Sequence, residues 1–289
     1  MDSTRTLVAS ALAIAVVAPA LPAQSFEGTV HYRQISVSDN GVRNLLGTDP
    51  QSRDAVDPQE LFAVPIEKVL DLKETSEDDI DVQDVTFQMK GTKLRVESPQ
   101  GYAIMDIKTG ITWLVSPQSK SYIEFTTEDM KAAQKQAEAM REEAMKNLPE
   151  DARKKIQEQE KASAASPDVR ELGRSGTVNG LKAAAYELKK TNEVSIGWVT
   201  QEHKDLTDAF RAFAEWSKQF SAEQDRSDNA EMTLTKYGLP VRTQTLDQTS
   251  GGYDVTDMLS VDAHPVAEDL FQIPDGYTKQ TLPGLPGGS

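Results

Sequence analysis

Residues 103–125 read "AIMDIKTGITWLVSPQSKSYIEF". Three short runs, 102–107, 111–116 and 120–125, are parted by "KTG" and "SPQS", residues that favour tight turns. Short runs joined by such turns read as consecutive antiparallel strands, because parallel neighbours need a crossover of about a dozen residues. "AIMDI" and "TWLV" are apolar at successive positions, hence on both faces. Strands of that kind sit mid-sheet, so other parts of the chain must cover this sheet on both sides.

The pattern extends in both directions. Upstream, "VQDVTFQMK" and "TKLRVES" turn through "KG". At 26–34, "FEGTVHYRQ" alternates: Phe26, Gly28, Val30 and Tyr32 share one face, Glu27, Thr29, His31 and Arg33 the other. Residues 36–80 break the alternation with "DNG", "DPQ" and the acidic run "SEDDIDVQD". Within them a helical insertion is expected near 57–72. Asp57 is its N-cap and Pro58 its first residue, and Pro65 interrupts it before "IEKVLDL".

A second helical insertion is expected over 127–161. Thr126 and Asp129 form a capping box, and Met130, Ala133, Ala137, Met140, Ala144 and Leu148 follow helical spacing. Pro149 ends that helix, and "PEDARKKIQEQEK" starts another with i,i+4 pairs Glu150/Lys154 and Asp151/Lys155. Strands resume at "VRELGRSGTV", with a hairpin turn at Asn179-Gly180. "NEVSIGWVT" and "GGYDVTDMLSVDA" read as further strands, and "AEMTLTKYGLPVRTQTLDQ" as a hairpin turning at Gly238. The expected architecture is α+β, mainly β: a single domain over 24–279, followed by a disordered tail, 280–289.

The N-terminal "MDSTR" followed by the apolar "TLVASALAIAVVAPAL" and small-residue "PAQS" reads as a signal peptide over 1–23, cleaved near Ala23 or Gln24. The apolar run is shorter than the ~20 residues a membrane span needs, so no anchor is expected after cleavage. There is no cysteine, so no disulfide and no acylated cysteine. The expected location is the periplasm or the cell exterior. A net charge of −15 over 289 residues repels phosphate backbones, which argues against nucleic acid as partner.

No stretch announces a reaction. No nucleophile elbow, no phosphate-cradling glycine loop and no thiol are present, and His31, His203 and His264 lie far apart. No histidine pair has metal-ligand spacing, and no cofactor is expected. The acidic run 77–84 has clustered carboxylates that calcium favours, without the glycine turn or terminal glutamate of an EF-hand; a solvated acidic loop before a strand is the favoured account. The reading is therefore not an enzyme.

The informative stretch is Leu206–Phe220, "LTDAFRAFAEWSKQF". Helical winding puts Leu206, Ala209, Phe210, Phe213, Trp216 and Phe220 on one face, with Asp205 as its cap. Four aromatics bury about 600–1,000 Å², worth at most about 15–25 kcal/mol, more than the ~5–15 kcal/mol net stability of a domain. That face must dock on the sheet, as plain core or as a lid over an apolar ligand. On the second reading the ligand-facing residues are Phe210, Phe213, Trp216 and Phe220, joined by Trp113 and Trp198 from strands.

"FEGTVHYR", "MKGTKLRVES", residues 103–125, "VNGLKAAAYEL", "KYGLPVRTQ" and "LFQIPDGYTK", in this order, resemble a bacterial family of exported proteins whose domain has no assigned function. That family is similar in turn to the lipoprotein-carrier superfamily with the LolA/LolB-like fold. The resemblance implies an antiparallel sheet curled into a half-barrel, with helices over its concave face. It also implies non-catalytic binding of a lipid or an acylated ligand, such as a lipoprotein, in the cell envelope. The rival expectation is a periplasmic protein–protein module that meets its partner through the charged helices 127–161.

Overall fold

The computed structural model of the protein describes residues 26–49, 52, 54–164, 166–217 and 230–281. The signal peptide read over 1–23, Phe220 and most of the tail read over 280–289 lie outside these residues. Strand β1 (Gly28–Val37) is followed by helices α1 (Asp39–Leu46), α2 (Pro58–Phe62), α3 (Ile66–Leu70) and α4 (Leu72–Thr75). A meander of β2 (Ile80–Lys90), β3 (Lys93–Ser98), β4 (Gly101–Asp106), β5 (Ile111–Ser116) and β6 (Ser121–Thr126) comes next. Helices α5 (Thr127–Lys146) and α6 (Glu150–Ala164) precede β7 (Asp168–Val178), β8 (Leu181–Lys189) and β9 (Glu193–Thr200). Then come α7 (Lys204–Ser217), α8 (Ala230–Leu234), β10 (Leu239–Asp247), β11 (Tyr253–Asp262) and β12 (Thr278–Gln280).

The twelve strands of the described residues form one open sheet in the order β12-β6-β5-β4-β3-β2-β1-β11-β10-β9-β8-β7. It is antiparallel except where β12 runs parallel to β6. One apolar cluster gathers residues from Leu114 on β5 to Val178 on β7 together with Leu206, Phe213 and Trp216 of α7. Laid flat, the ten strands from β5 to β7 would be about 43 Å wide, whereas a 14-residue helix is only about 21 Å long. The sheet is curled around α7, which lies on its inner face.

The local signals explain most elements. Asp57 caps α2 by accepting from Gln59 N at 2.8 Å, with Pro58 as first residue, and Pro65 stands immediately before α3. Thr126 and Asp129 form the capping box of α5. Asn179 and Gly180 adopt φ of 48° and 87°, the left-handed pair a two-residue hairpin requires. Two expectations fail. "DNG" at 39–41 lies in the first turn of α1 rather than in a break, because Ser38 caps it and Gly41 packs against Val37 and Asp79 where a Cβ would clash. Residues 230–234 form α8 rather than the first strand of a hairpin, because Leu234 packs onto Gly197 of β9, filling the space of its missing side chain.

The central strands change their buried face part-way along. On β1, Val30 and Tyr32 join the α7 cluster, while Ile35 and Val37, of opposite parity, pack with α1–α4. On β2, Val85, Phe87 and Met89 face α7, and Ile80 and Val82 face the short helices. On β11 the same division separates Met258 from Tyr253 and Val255. Successive strand residues point to opposite faces, so α7 covers one half of the inner face and α1–α4 cover the other half of the outer face. The segment 36–80 is thus the outer cover of the sheet.

The outer face of the meander has its own cover. Val266, Leu270, Phe271, Ile273 and Tyr277 pack over Tyr102, Ile104, Trp113, Val115 and Tyr122. Polar ties hold this strap. Lys90 Nζ donates to Val266 O at 2.7 Å, and Arg95 Nη1 donates to Leu270 O at 3.1 Å while lying over the Tyr102 ring. Lys93 pairs with Glu268, and Lys279 pairs with Glu124 at 2.6 Å. Ala103, Met105 and Leu114 face the α7 side, which accounts for strands that are apolar on both faces.

Candidate functional site

Helix α7 presents Leu206, Ala209, Phe213 and Trp216 to the inner face, all buried. It begins one residue earlier than the expected cap, so Asp205 lies in its first turn instead, where a carboxylate still meets the positive end of the dipole. Arg211 ties the outer side of α7 to the residue after α8, donating from Nε to Thr235 O at 2.8 Å. Phe210 differs from the buried residues. It keeps part of its surface exposed and stands edge-on to Tyr32 (6.2 Å between centroids) and Phe87 (5.9 Å). Tyr32 and Phe87 are themselves edge-on at 5.3 Å.

The two strand tryptophans are not brought to this place. Trp113 lies next to Leu114 in β5 and therefore on the outer face, among the strap residues. Its indole N–H donates to Glu124 Oε2 at 2.8 Å, and Lys279 and Trp113 together hold the Glu124 carboxyl below the usual range. Trp198 touches the margin of the α7 cluster, yet it stands directly opposite Arg242. That register places it in the row Asp84, Arg33, Asp257, Arg242, on the face away from Tyr32. This row is a ladder of ion pairs, Arg33–Asp84 and Arg242–Asp257, each at 2.8 Å. The Arg33 guanidinium holds the Asp84 carboxyl below its ordinary value.

Below the aromatic cluster the inner face turns polar. The register gives three successive rows of side chains on that face. The first is Val85, Tyr32 and Met258. The second is Gln83, Gln34, Thr256 and Thr243, ending at Gly197. The third is Asp81, Ser36, Asp254, Thr245 and Ser195. Ser36 Oγ donates to Asp254 Oδ1 at 2.5 Å, and Ser195 and Thr245 share a 2.9 Å hydrogen bond. Gln34, Ser36, Asp81 and Asp254 are exposed, so this half is open.

Helix α8 closes one side of the polar half. The carboxyl of Glu231 is pushed up by burial, partly offset by a hydrogen bond from Thr256, and Glu193 and Asp254 add repulsion. Burial and the nearby Glu231 likewise push the Tyr32 hydroxyl up. Thr243 is 2% exposed, and its Oγ1 is buried without a hydrogen-bond partner, as is Thr233 Oγ1. Sequence reasoning missed Tyr32, Phe87, Thr243, Thr256 and Glu231 as parts of one place. The available signal was the slip in alternation at Gln83-Asp84, Arg33-Gln34 and Thr256-Asp257, which align across β2, β1 and β11.

The acidic run 77–84 does not gather its carboxylates. Asp79 accepts from Ser38 Oγ at 2.6 Å, Asp81 from Gln83 Nε2 at 2.6 Å, and Asp84 pairs with Arg33. Among the described residues no group of three or more His, Asp or Glu is placed to hold a metal. Helix α5 has no buried residue, and Met140 of its apolar stripe is 65% exposed. Among the described residues no helix is long and apolar enough to cross a membrane.

Residues 67–277, well over half of the chain, match the family described as Domain of unknown function (DUF4412). The chain belongs to the DUF4412 family. No curated protein matches it. The solved structure of PNGF-II is similar at 8% identity and a TM-score of 0.34, covering 88% of this chain and 31% of its own, so the chain spans under a third of that protein. A domain described as an outer membrane lipoprotein-sorting protein from Vibrio parahaemolyticus is similar at 8% identity and a TM-score of 0.26, covering 85% of this chain and 89% of its own. MucB in complex with MucA(peri) is similar at 12% identity and a TM-score of 0.28, covering 95% of this chain and 60% of its own.

Proposed function

We propose that this DUF4412 protein is a non-catalytic protein of the cell envelope, periplasmic or secreted, that binds an apolar or acylated ligand on the inner face of its sheet beside α7. The observation that carries this reading is the position of Phe210. It is the part-exposed aromatic of α7, edge-on to Tyr32 and Phe87, where the apolar half of the inner face meets an open polar half. Such a place offers shape and desolvation to a chain and water to its polar end.

Phe213 and Trp216 would support the site from within the core, whereas Phe210 would touch the ligand. The test is to purify the mature protein from its own envelope, denature it, extract it and weigh the lipid by mass spectrometry. Phe210→Asp is the control, since charges at Phe213 or Trp216 would unfold the chain. Stoichiometric lipid in the wild type and none in the folded variant is expected. An empty wild type that also fails to bind a decyl-chain probe overturns the reading.

A second reading rests on α5 and α6. A 20-residue helix with no buried residue and an exposed methionine is an available surface for an envelope protein partner. Charge reversal at Glu142, Glu143 and Glu150 would abolish capture of that partner while leaving decyl-probe binding intact.

A further inference from the structure

We propose that the polar half of the inner face receives a cationic head group, so that the ligand is an amphiphile joining an acyl or alkyl chain to an ammonium. This rests on the inner-face binding proposed above and adds the chemistry of the ligand's other end. Same-face rows on a strand are about 7 Å apart, so the head of a chain lying against Tyr32 reaches the row of Thr256 and Thr243, then the row of Asp254. Both rows offer acceptors. Among the described residues the carboxylates of Asp254 and Asp81 accept from neutral donors, the Ser36 hydroxyl and the Gln83 amide. Glu231 faces them from α8 and senses Asp254 and Glu193 as like charges. Neither row contains a lysine or arginine.

Thr243 supplies the independent sign of a ligand. Its hydroxyl is buried, has no partner, and shares the inner face with Thr256, at the border between the two halves. A buried hydroxyl without a partner is costly, and a group that donates there relieves it. An ammonium donates and never accepts, which matches a place made of carboxylates and threonine oxygens. A phosphate or sulfate head would meet the like charge of Asp81 and Asp254, opposed by neutral amide and hydroxyl donors alone in these rows.

The test compares three probes of equal chain length on the mature, full-length protein, below their micelle concentrations: decylammonium, decyl maltoside and decyl sulfate. Binding is read by calorimetry. The expected order is ammonium tightest by about tenfold over maltoside, with sulfate weakest. The pair Glu231→Gln with Asp254→Asn, checked for folding by circular dichroism, is expected to bring ammonium down to the maltoside value and leave maltoside unchanged. Equal binding of ammonium and sulfate overturns the proposal while leaving the inner-face binding reading intact. A preference for ammonium that survives the double variant also overturns it, because the net charge of the whole surface would then explain it. Failure of all three probes removes the inner-face binding reading itself.

Discussion

Phe213 and Phe210 lie three residues apart on α7 and do different work. Phe213 is 2% exposed inside the cluster, so Phe213→Ala leaves a cavity and is expected to cost about 3–5 kcal/mol in urea denaturation. Phe210 is part-exposed and makes two edge contacts, so Phe210→Ala is expected to cost about 1–2 kcal/mol and to lower ligand binding far more than stability. Glu231 gives a pH signature. Its folded pKa is raised above the ordinary 4.5. Its stabilising influence is therefore complete below that value and is lost as pH rises through the folded value. Glu231→Gln is expected to flatten the decline in stability above about pH 4.5 and to raise the melting temperature at neutral pH, measurable by thermal denaturation across pH.

Among the elements, α1 shows how much one cap carries. Ser38 Oγ accepts from Gly41 N at 3.2 Å and donates to Asp79 at 2.6 Å, joining the helix start to the approach to β2. Ser38→Ala is expected to cost about 1 kcal/mol and to increase amide exchange across α1, read by hydrogen–deuterium exchange. The helices α5 and α6 belong to the opposite class: their capping and i,i+4 pairing are local, as with Lys154–Glu150 at 2.8 Å. Nothing in the described sheet requires them for burial, and Met140→Lys is expected to change stability by under about 0.5 kcal/mol.

Across the whole molecule the sheet is amphipathic in a diagonal sense. Its central strands bury the inner face in one half and the outer face in the other, so two separate covers, α7 and α1–α4, are needed. The C-terminal strap is a third cover, over the meander. Removal of residues 263–289 would expose Tyr102, Ile104, Trp113 and Val115. At about 1.5–3 kcal/mol each, that loss rivals the ~5–15 kcal/mol stability of a domain. The truncated chain is expected to show a sharply lowered urea midpoint and to bind an apolar dye.

Local chemistry was legible in the sequence wherever it was sufficient. The strands of 103–125, the Asn179-Gly180 turn, the Asp57-Pro58 start and the Thr126 capping box depend on neighbours within a few residues, and each stands where the sequence placed it. The aromatic face of α7 was legible for the same reason, since its period is a property of one helix. The tertiary structure alone decided which face of each strand met which cover. Trp113 and Trp198 have the side chain of a ligand contact, yet strand parity turned them to the strap and to the ion-pair ladder. The polar pairs Arg33-Gln34 and Thr256-Asp257 are unremarkable in their own strands and become a row only when β1 and β11 align. Burial and register are properties of residues brought together from far along the chain, and a single strand's sequence carries only half of each such pairing.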